Sequence, residues 1–234
     1  MSQYLVITGA SKGIGLATAQ LFQEQGYEVI NISRTPCPLP DVINLKVDLA
    51  DPAWEKEHTQ QILNELGSTN RIVLVHNAAM MTKDTVSDLA ADVLRSVLEL
   101  NVVAASILNR ILLPVMDSGS SILYVSSTLG TKAVGNTHAY VLSKHAVIGQ
   151  MRATCQDLVG RGIHTAAVCP GFTETEMLTE HLSANPEMRN AISSNVVMGR
   201  LAQPSEIAET LWFCARNPVL NSAVIDANLG QVET

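Results

Sequence analysis

The stretch Leu5-Val-Ile-Thr-Gly-Ala-Ser-Lys-Gly-Ile-Gly-Leu-Ala-Thr-Ala19 constrains this chain more than any other, because a short apolar run meets an amphipathic helix through a turn carrying Gly9, Gly13 and Gly15. Gly9 permits a tight exit from a strand, Gly13 lets bare backbone approach a bulky anion, and Gly15 lets the helix pack close to the sheet. The free N–H groups and positive dipole end of that helix would face the anion. Gly9, Ser11, Lys12, Gly13, Ile14 and Gly15 are therefore candidate phosphate contacts. The spacing GxxxGxG differs from the commoner fingerprint GxGxxG by a wider gap between the first two glycines. The same pattern also fits a glycine-rich turn that binds nothing.

Beyond this turn, two periodicities alternate. Apolar runs of strand length occur at Tyr4–Thr8, Glu28–Ser33, Val42–Val47, Ile72–His76, Ile122–Ser126, His164–Cys169 and Ala223–Ala227. Helical spacing is expected over Ile14–Gln25 with Gly26 as its stop, from Asp51-Pro52, over about Asp88–Met116, over about Ala139–Leu158, and from Gln203-Pro204-Ser205-Glu206 to about Ala215. Strands alternating with helices predict a doubly wound, mostly parallel seven-stranded α/β sheet with helices on both faces. Ligands of such folds bind beyond the carboxyl ends of the strands. The chain of 234 residues reads as one domain, without repeat or linker.

A net charge of −7 argues against nucleic acid or an anionic membrane as the main partner. Uninterrupted apolar runs fall short of a membrane span, and no signal peptide is expected. Cys37, Cys155, Cys169 and Cys214 are scattered without a CxxC pair, so neither a disulfide framework nor a zinc site is expected, and a cytoplasmic location fits.

Several polar residues fall where the strands end. Ser33 and Arg34 follow the second strand, the place where a dinucleotide-binding fold meets the adenosine ribose. An NAD site usually carries an acid there; this chain offers Arg34 and, from the glycine loop, Lys12, which suits the extra phosphate of NADP. Both cations can equally be solvated surface charges. Asp48, followed by Leu49, could accept from an adenine amino group or simply cap a turn. In His76-Asn77-Ala78-Ala79 the small residues allow a flat ring or ribose against the backbone, while His76 reads as a satisfied core side chain. Leu94, Leu98, Ala105 and Leu108 mark an inward helical face, and Asn101 shares it. That amide is either structurally satisfied or part of a proton path. Tyr140 and Lys144 are four apart, on one helical face, where the ammonium is expected to favour phenolate and lower the phenol pKa. Ser126-Ser127 close the preceding strand at the same sheet edge.

These elements, in this order through Pro170-Gly171, resemble the short-chain dehydrogenase/reductase family over nearly the whole chain, and Pro170-Gly171-Phe172-Thr173-Glu174-Thr175 is similar to its 3-oxoacyl-carrier-protein reductase-like members. The resemblance implies a Rossmann fold and an NADP(H)-dependent oxidoreductase. Its serine, thirteen positions before the tyrosine, selects Ser127 (140 − 13 = 127). It makes Tyr140 the general acid/base, Ser127 the holder of the substrate oxygen, Lys144 a ribose ligand, and Asn101 the holder of a relay water. Asn77 and Ala78 become cofactor neighbours, and Pro170, Gly171 and Thr173 or Thr175 orient the nicotinamide.

Three departures stand out. His76 occupies a usual asparagine position, Ala79 a common glycine, and Asp226-Ala-Asn-Leu-Gly230 replaces paired glycines. The last puts the C-terminal contribution to the pocket in question. Substrate choice is expected in residues 173–197, a loop with a short helix at Glu174–Leu182 and with Met177, Leu178, Leu182 and Met188 as apolar contacts; Met80 and Met81 are further candidates. The expected partner is a small carbonyl or alcohol, and a dimer or tetramer is the family's habit. The competing function is a non-catalytic NADP(H) sensor or partner-binding protein on the same fold.

Overall fold

The computed structural model describes residues 3–66, 70–182 and 192–232. Strands β1 (Gln3–Thr8), β2 (Glu28–Ser33), β3 (Ile43–Lys46), β4 (Arg71–His76), β5 (Ser121–Val125), β6 (His164–Pro170) and β7 (Ala223–Ala227) form one sheet in the order β3-β2-β1-β4-β5-β6-β7. All six pairings are parallel. The order reverses between β1 and β4, which opens a crevice at their carboxyl ends.

Alternation within the strands divides the core. Tyr4, Val6, Ile30, Ile32, Ile72, Leu74, Ile122 and Tyr124 face one layer, where α2 (Trp54–Asn64), α4 (Ala104–Leu112) and α5 (His138–Asp157) supply Trp54, Leu108 and Met151. Leu5, Ile7, Val29, Val73, Val75 and Leu123 face the other, covered by α1 (Gly13–Glu24) and α7 (Pro204–Arg216). Burial on both faces is why these strands read as continuous apolar runs.

Two helical expectations need correction. The second helix starts at Trp54 rather than at Asp51, because the Asp51 carboxylate accepts the Ala53 N–H at 3.0 Å and closes a separate turn first. The long helix is broken in register: α3 (Ala91–Leu98) passes through a π-helical turn at Glu99–Val103 before α4 begins. The wider turn rotates the inward stripe, so Val97 is fully buried while Leu94 and Leu98 are half-exposed. This run, Ala91–Val115, is also long and apolar enough by length and composition to cross a membrane, which the expectation from its apolar runs did not foresee. Here the α4 part spends its apolar face on the sheet.

The last helix starts where the sequence places it. Gln203 and Glu206 form a reciprocal capping box, and Arg200 grips the Glu206 carboxylate with two bonds of 2.7 Å, holding that acid down to about 2. Inside the same layer, Phe22 meets Tyr27 and Trp212 edge-on at 5.2 and 4.9 Å, joining α1 to α7. Phe22→Ala is expected to cost about 3–5 kcal/mol of unfolding free energy in urea titrations, and Phe22→Leu clearly less.

Candidate active site

The crevice is a cleft of about 500 Å³. Its floor begins at the glycine loop, where Gly9 (φ +74°) and Gly13 (φ +57°) adopt left-handed backbone. A Cβ on Gly15 would lie 2.2 Å from the Gly9 carbonyl oxygen and 2.6 Å from Asn77 Nδ2, so only glycine fits there. The Gly9 backbone itself is the closest obstacle, and Asn77 adds to the crowding: its Nδ2 donates to the Thr8 and Gly9 carbonyls, both at 3.0 Å. Thr8 answers from β1, its hydroxyl oxygen accepting the N–H groups of Asn77 and Ala78 at 3.0 and 2.9 Å. Asn77 thus acts first as a clamp on the loop. Lys12 is the N-cap of α1, and the first residues of that helix, Gly13, Ile14 and Gly15, line the cleft. Ser11, Lys12 and Ile14 line it as well.

At one end of the cleft stand Ser33, Arg34, Asp48 and Leu49. Arg34 is exposed. Ser33 is more committed than its sequence suggests, for its hydroxyl accepts from Asn31 Nδ2 and donates to the Thr35 carbonyl. Asp48 Oδ1 accepts the Ala50 N–H at 3.0 Å, so one of its two carboxylate oxygens caps that turn while the residue lines the cleft.

At the other end, β5 and α5 bring Ser127, Tyr140 and Lys144 together. Ser127 stands where it favours the Tyr140 phenolate, and its hydroxyl oxygen accepts the Leu129 N–H at 3.1 Å. Lys144 lies 5.4 Å from the Tyr140 ring centroid. The expected lowering of the Tyr140 pKa is overturned in the protein alone. The phenol is pushed up to about 12 by burial, against which Ser127 works weakly. The Lys144 ammonium is turned to the Val125 carbonyl at 2.8 Å and is itself lowered to about 8 by burial. Desolvation is the largest cause for both groups.

Asn101 does not reach the cleft. Its amide accepts from Met80 N and donates to Met80 O and Ser143 Oγ at 2.9, 3.0 and 2.9 Å, so the side chain is structurally satisfied. It nonetheless sits in the π turn and borders a small internal void shared with His76 and Lys144. His76 is the core side chain expected, bonded to Asn109 at 2.8 Å and lowered to about 4 by burial.

Ala78, Pro170, Gly171, Thr173 and Thr175 line the cleft, with Met81, Met177 and Leu178 at its mouth; Met80 lies outside its lining. The helix expected from Glu174 spans Glu176–Leu182, labelled α6. Met188 and the Leu182 side chain lie outside the described residues. Sequence reasoning missed Asn31, Thr8 and Gln231. A polar residue inside Val29-Ile30-Asn31-Ile32 was a signal for the first. The doubted C-terminal segment does reach the site: Gln231 lines the cleft after Gly230 pairs with Val197.

Residues 9–220 match a family model described as enoyl-(acyl carrier protein) reductase. The chain belongs to the short-chain dehydrogenase/reductase family. Members of this family are oxidoreductases that use nicotinamide cofactors. Among relatives within it, the chain is 31% identical to the 3-oxoacyl-[acyl-carrier-protein] reductase FabG of Thermotoga maritima, over 90% of this chain and 89% of that protein. A short chain dehydrogenase family protein from Francisella tularensis superposes with a TM-score of 0.88 at 27% identity, covering 99% and 98% of the two chains. The fold is shared with the structure of ElxO with NADP bound, at a TM-score of 0.87 and 24% identity over 99% of both chains.

In this cleft the buried lysine gives a pH signature. Because its folded pKa, about 8, lies below the ordinary 10.5, the unfolded chain binds more protons between those values and stability rises with pH there. The stability difference between the unsubstituted protein and Lys144→Met should therefore shift in favour of lysine from pH 8 to 10.5, as read by urea unfolding across that range.

Proposed function

We propose that this chain is an NADPH-dependent oxidoreductase transferring a hydride between nicotinamide and a carbonyl or secondary-alcohol substrate, with Tyr140 as general acid/base. The observation that carries the reading is the meeting of Ser127, Tyr140 and Lys144 in the cleft that the glycine loop floors. That cleft suits a dinucleotide: bare glycine backbone and the first turn of α1 stand where a pyrophosphate needs them, and Arg34 with Lys12 supplies positive charge toward a 2′-phosphate. Bound there, the nicotinamide would supply or accept the hydride.

The chain's own residues handle orientation and the proton. Ser127 holds the substrate oxygen beside Tyr140. A phenol with a pKa near 12 is protonated at neutral pH, the form needed to donate to the oxygen of a carbonyl being reduced. Lys144 holds the nicotinamide ribose and, freed from the Val125 carbonyl, places positive charge where phenolate develops. Asn101 fixes the π turn against Ser143 and the chain after β4, with its relay role acting through the adjoining void. Pro170, Gly171, Thr173 and Thr175 shape the nicotinamide end.

The whole chain acts as one NAD(P)-binding domain, residues 173–197 choose the substrate, and Met81, Met177 and Leu178 favour a partly apolar one. Exposed Val103 and Leu142 support a homo-oligomer, and the cytoplasm is the proposed location.

Oxidation of NADPH over ketones, aldehydes, quinones and β-ketoacyl thioesters tests this. Tyr140→Phe should lower kcat by about 10²–10⁴. Turnover unchanged by that substitution would refute the catalytic role, and cofactor binding without turnover on any substrate would favour a sensor. Separately, Arg34→Ala should weaken NADPH by about 10–100-fold and NADH far less in fluorescence titrations. A higher kcat/KM with NADH in the unsubstituted protein would contradict the NADPH assignment.

A further inference from the structure

Asn31 is polar among the apolar Val29, Ile30 and Ile32 of β2, and it is 1% exposed. A buried amide must find protein partners, and the partners here are informative. Its Oδ1 accepts the Ala10 N–H of the glycine loop at 3.0 Å. Its Nδ2 donates to Ser33 Oγ at 3.0 Å and Asn44 Oδ1 at 2.9 Å, with the Thr35 carbonyl at the outer limit of 3.5 Å. One side chain therefore touches both backbone segments that would meet the adenosine half of the cofactor.

Asn44 extends the frame. It stands opposite Asn31 in the β2–β3 register, accepts the Cys37 N–H at 2.7 Å, and donates to the carbonyls of Val42 and Cys37 at 3.2 and 3.4 Å. Asn44 is exposed, so water could satisfy it and burial does not compel these bonds. Their effect is to fix residues 33–37, whose Arg34, Thr35 and Pro36 are exposed and gain little order from packing. A guanidinium on a fixed backbone loses less freedom when it takes a phosphate.

We propose that Asn31 is a positioning residue that holds the glycine loop and the Arg34 segment in one relative placement, and that Asn44, bonded to both Asn31 and Cys37, acts chiefly on the Arg34 segment, so that this pair sets cofactor affinity and NADPH preference. The proposal rests on the reading of Arg34 as the 2′-phosphate contact.

Titration of the full chain with NADPH and with NADH, followed by nicotinamide fluorescence, separates the two arms. Asn31→Ala should weaken both cofactors, by about tenfold each. Asn44→Ala should lower the NADPH-to-NADH affinity ratio by about three- to tenfold, and this effect should vanish in an Arg34→Ala background. In steady-state assays the losses should fall on the cofactor KM rather than on kcat. Should Asn31→Ala fail to fold in thermal melts, the exposed position of Asn44 keeps the Asn44→Ala comparison available. An Asn31→Ala protein that folds and binds both cofactors normally, or an Asn44→Ala effect that persists without Arg34, would overturn the proposal. Failure of the underlying reading looks different: Arg34→Ala alone would leave the affinity ratio where it was.

Discussion

The Asn77 amide, bonded to the carbonyls of Thr8 and Gly9, is the contact on which the site depends. It ties the end of β4 to the end of β1 at the point where strand order reverses, and the Thr8 hydroxyl returns the tie. Two neighbouring parallel strands would otherwise leave their terminal polar groups to solvent at this edge. The Gly9 carbonyl and the Asn77 amide bonded to it together leave no room for a side chain at Gly15, so the first turn of α1 can approach this closely only as glycine. The close approach of the loop to α1 thus goes together with the tie between the ends of β1 and β4.

At the far end of the cleft the governing cost is desolvation. Tyr140 and Lys144 are both buried, and burial drives their pKa values apart, to about 12 and about 8. This is the opposite of the simple expectation that an ammonium one helical turn away must acidify a phenol. Proximity along a helix sets which residues can meet, but the direction of an ammonium is decided by its best acceptor, here the Val125 carbonyl. A phenol held protonated and a lysine that gives up its charge easily are a pair whose protonation can be rebalanced by whatever charge enters the cleft.

The π turn at Glu99–Val103 shows how one local irregularity serves both packing and site. It shifts the buried face between α3 and α4, and it points Asn101 at the backbone of Met80 and the hydroxyl of Ser143. The polar chain from His76 through Asn109 and Tyr124 to Thr154 plays a similar part deeper in the layer, satisfying buried groups on four elements. The unusual histidine after β4 is accommodated by that chain.

Much of this was legible in the residues themselves. Continuous apolar runs of strand length, separated by helical periods, can satisfy their backbone groups and bury both faces only as a parallel sheet under helices. The glycines of the loop and the Tyr140–Lys144 spacing pointed to residues that line one cleft because backbone approach and helical geometry are local properties. Contacts between distant segments were not local and so could not be read: that Asn31 reaches Ala10 and Asn44, that Gln231 returns to the cleft, that the Lys144 charge turns to Val125, and that a π turn rotates the long helix. Each depends on which groups lie nearby once the sheet has closed, and burial then decides what those groups must bond.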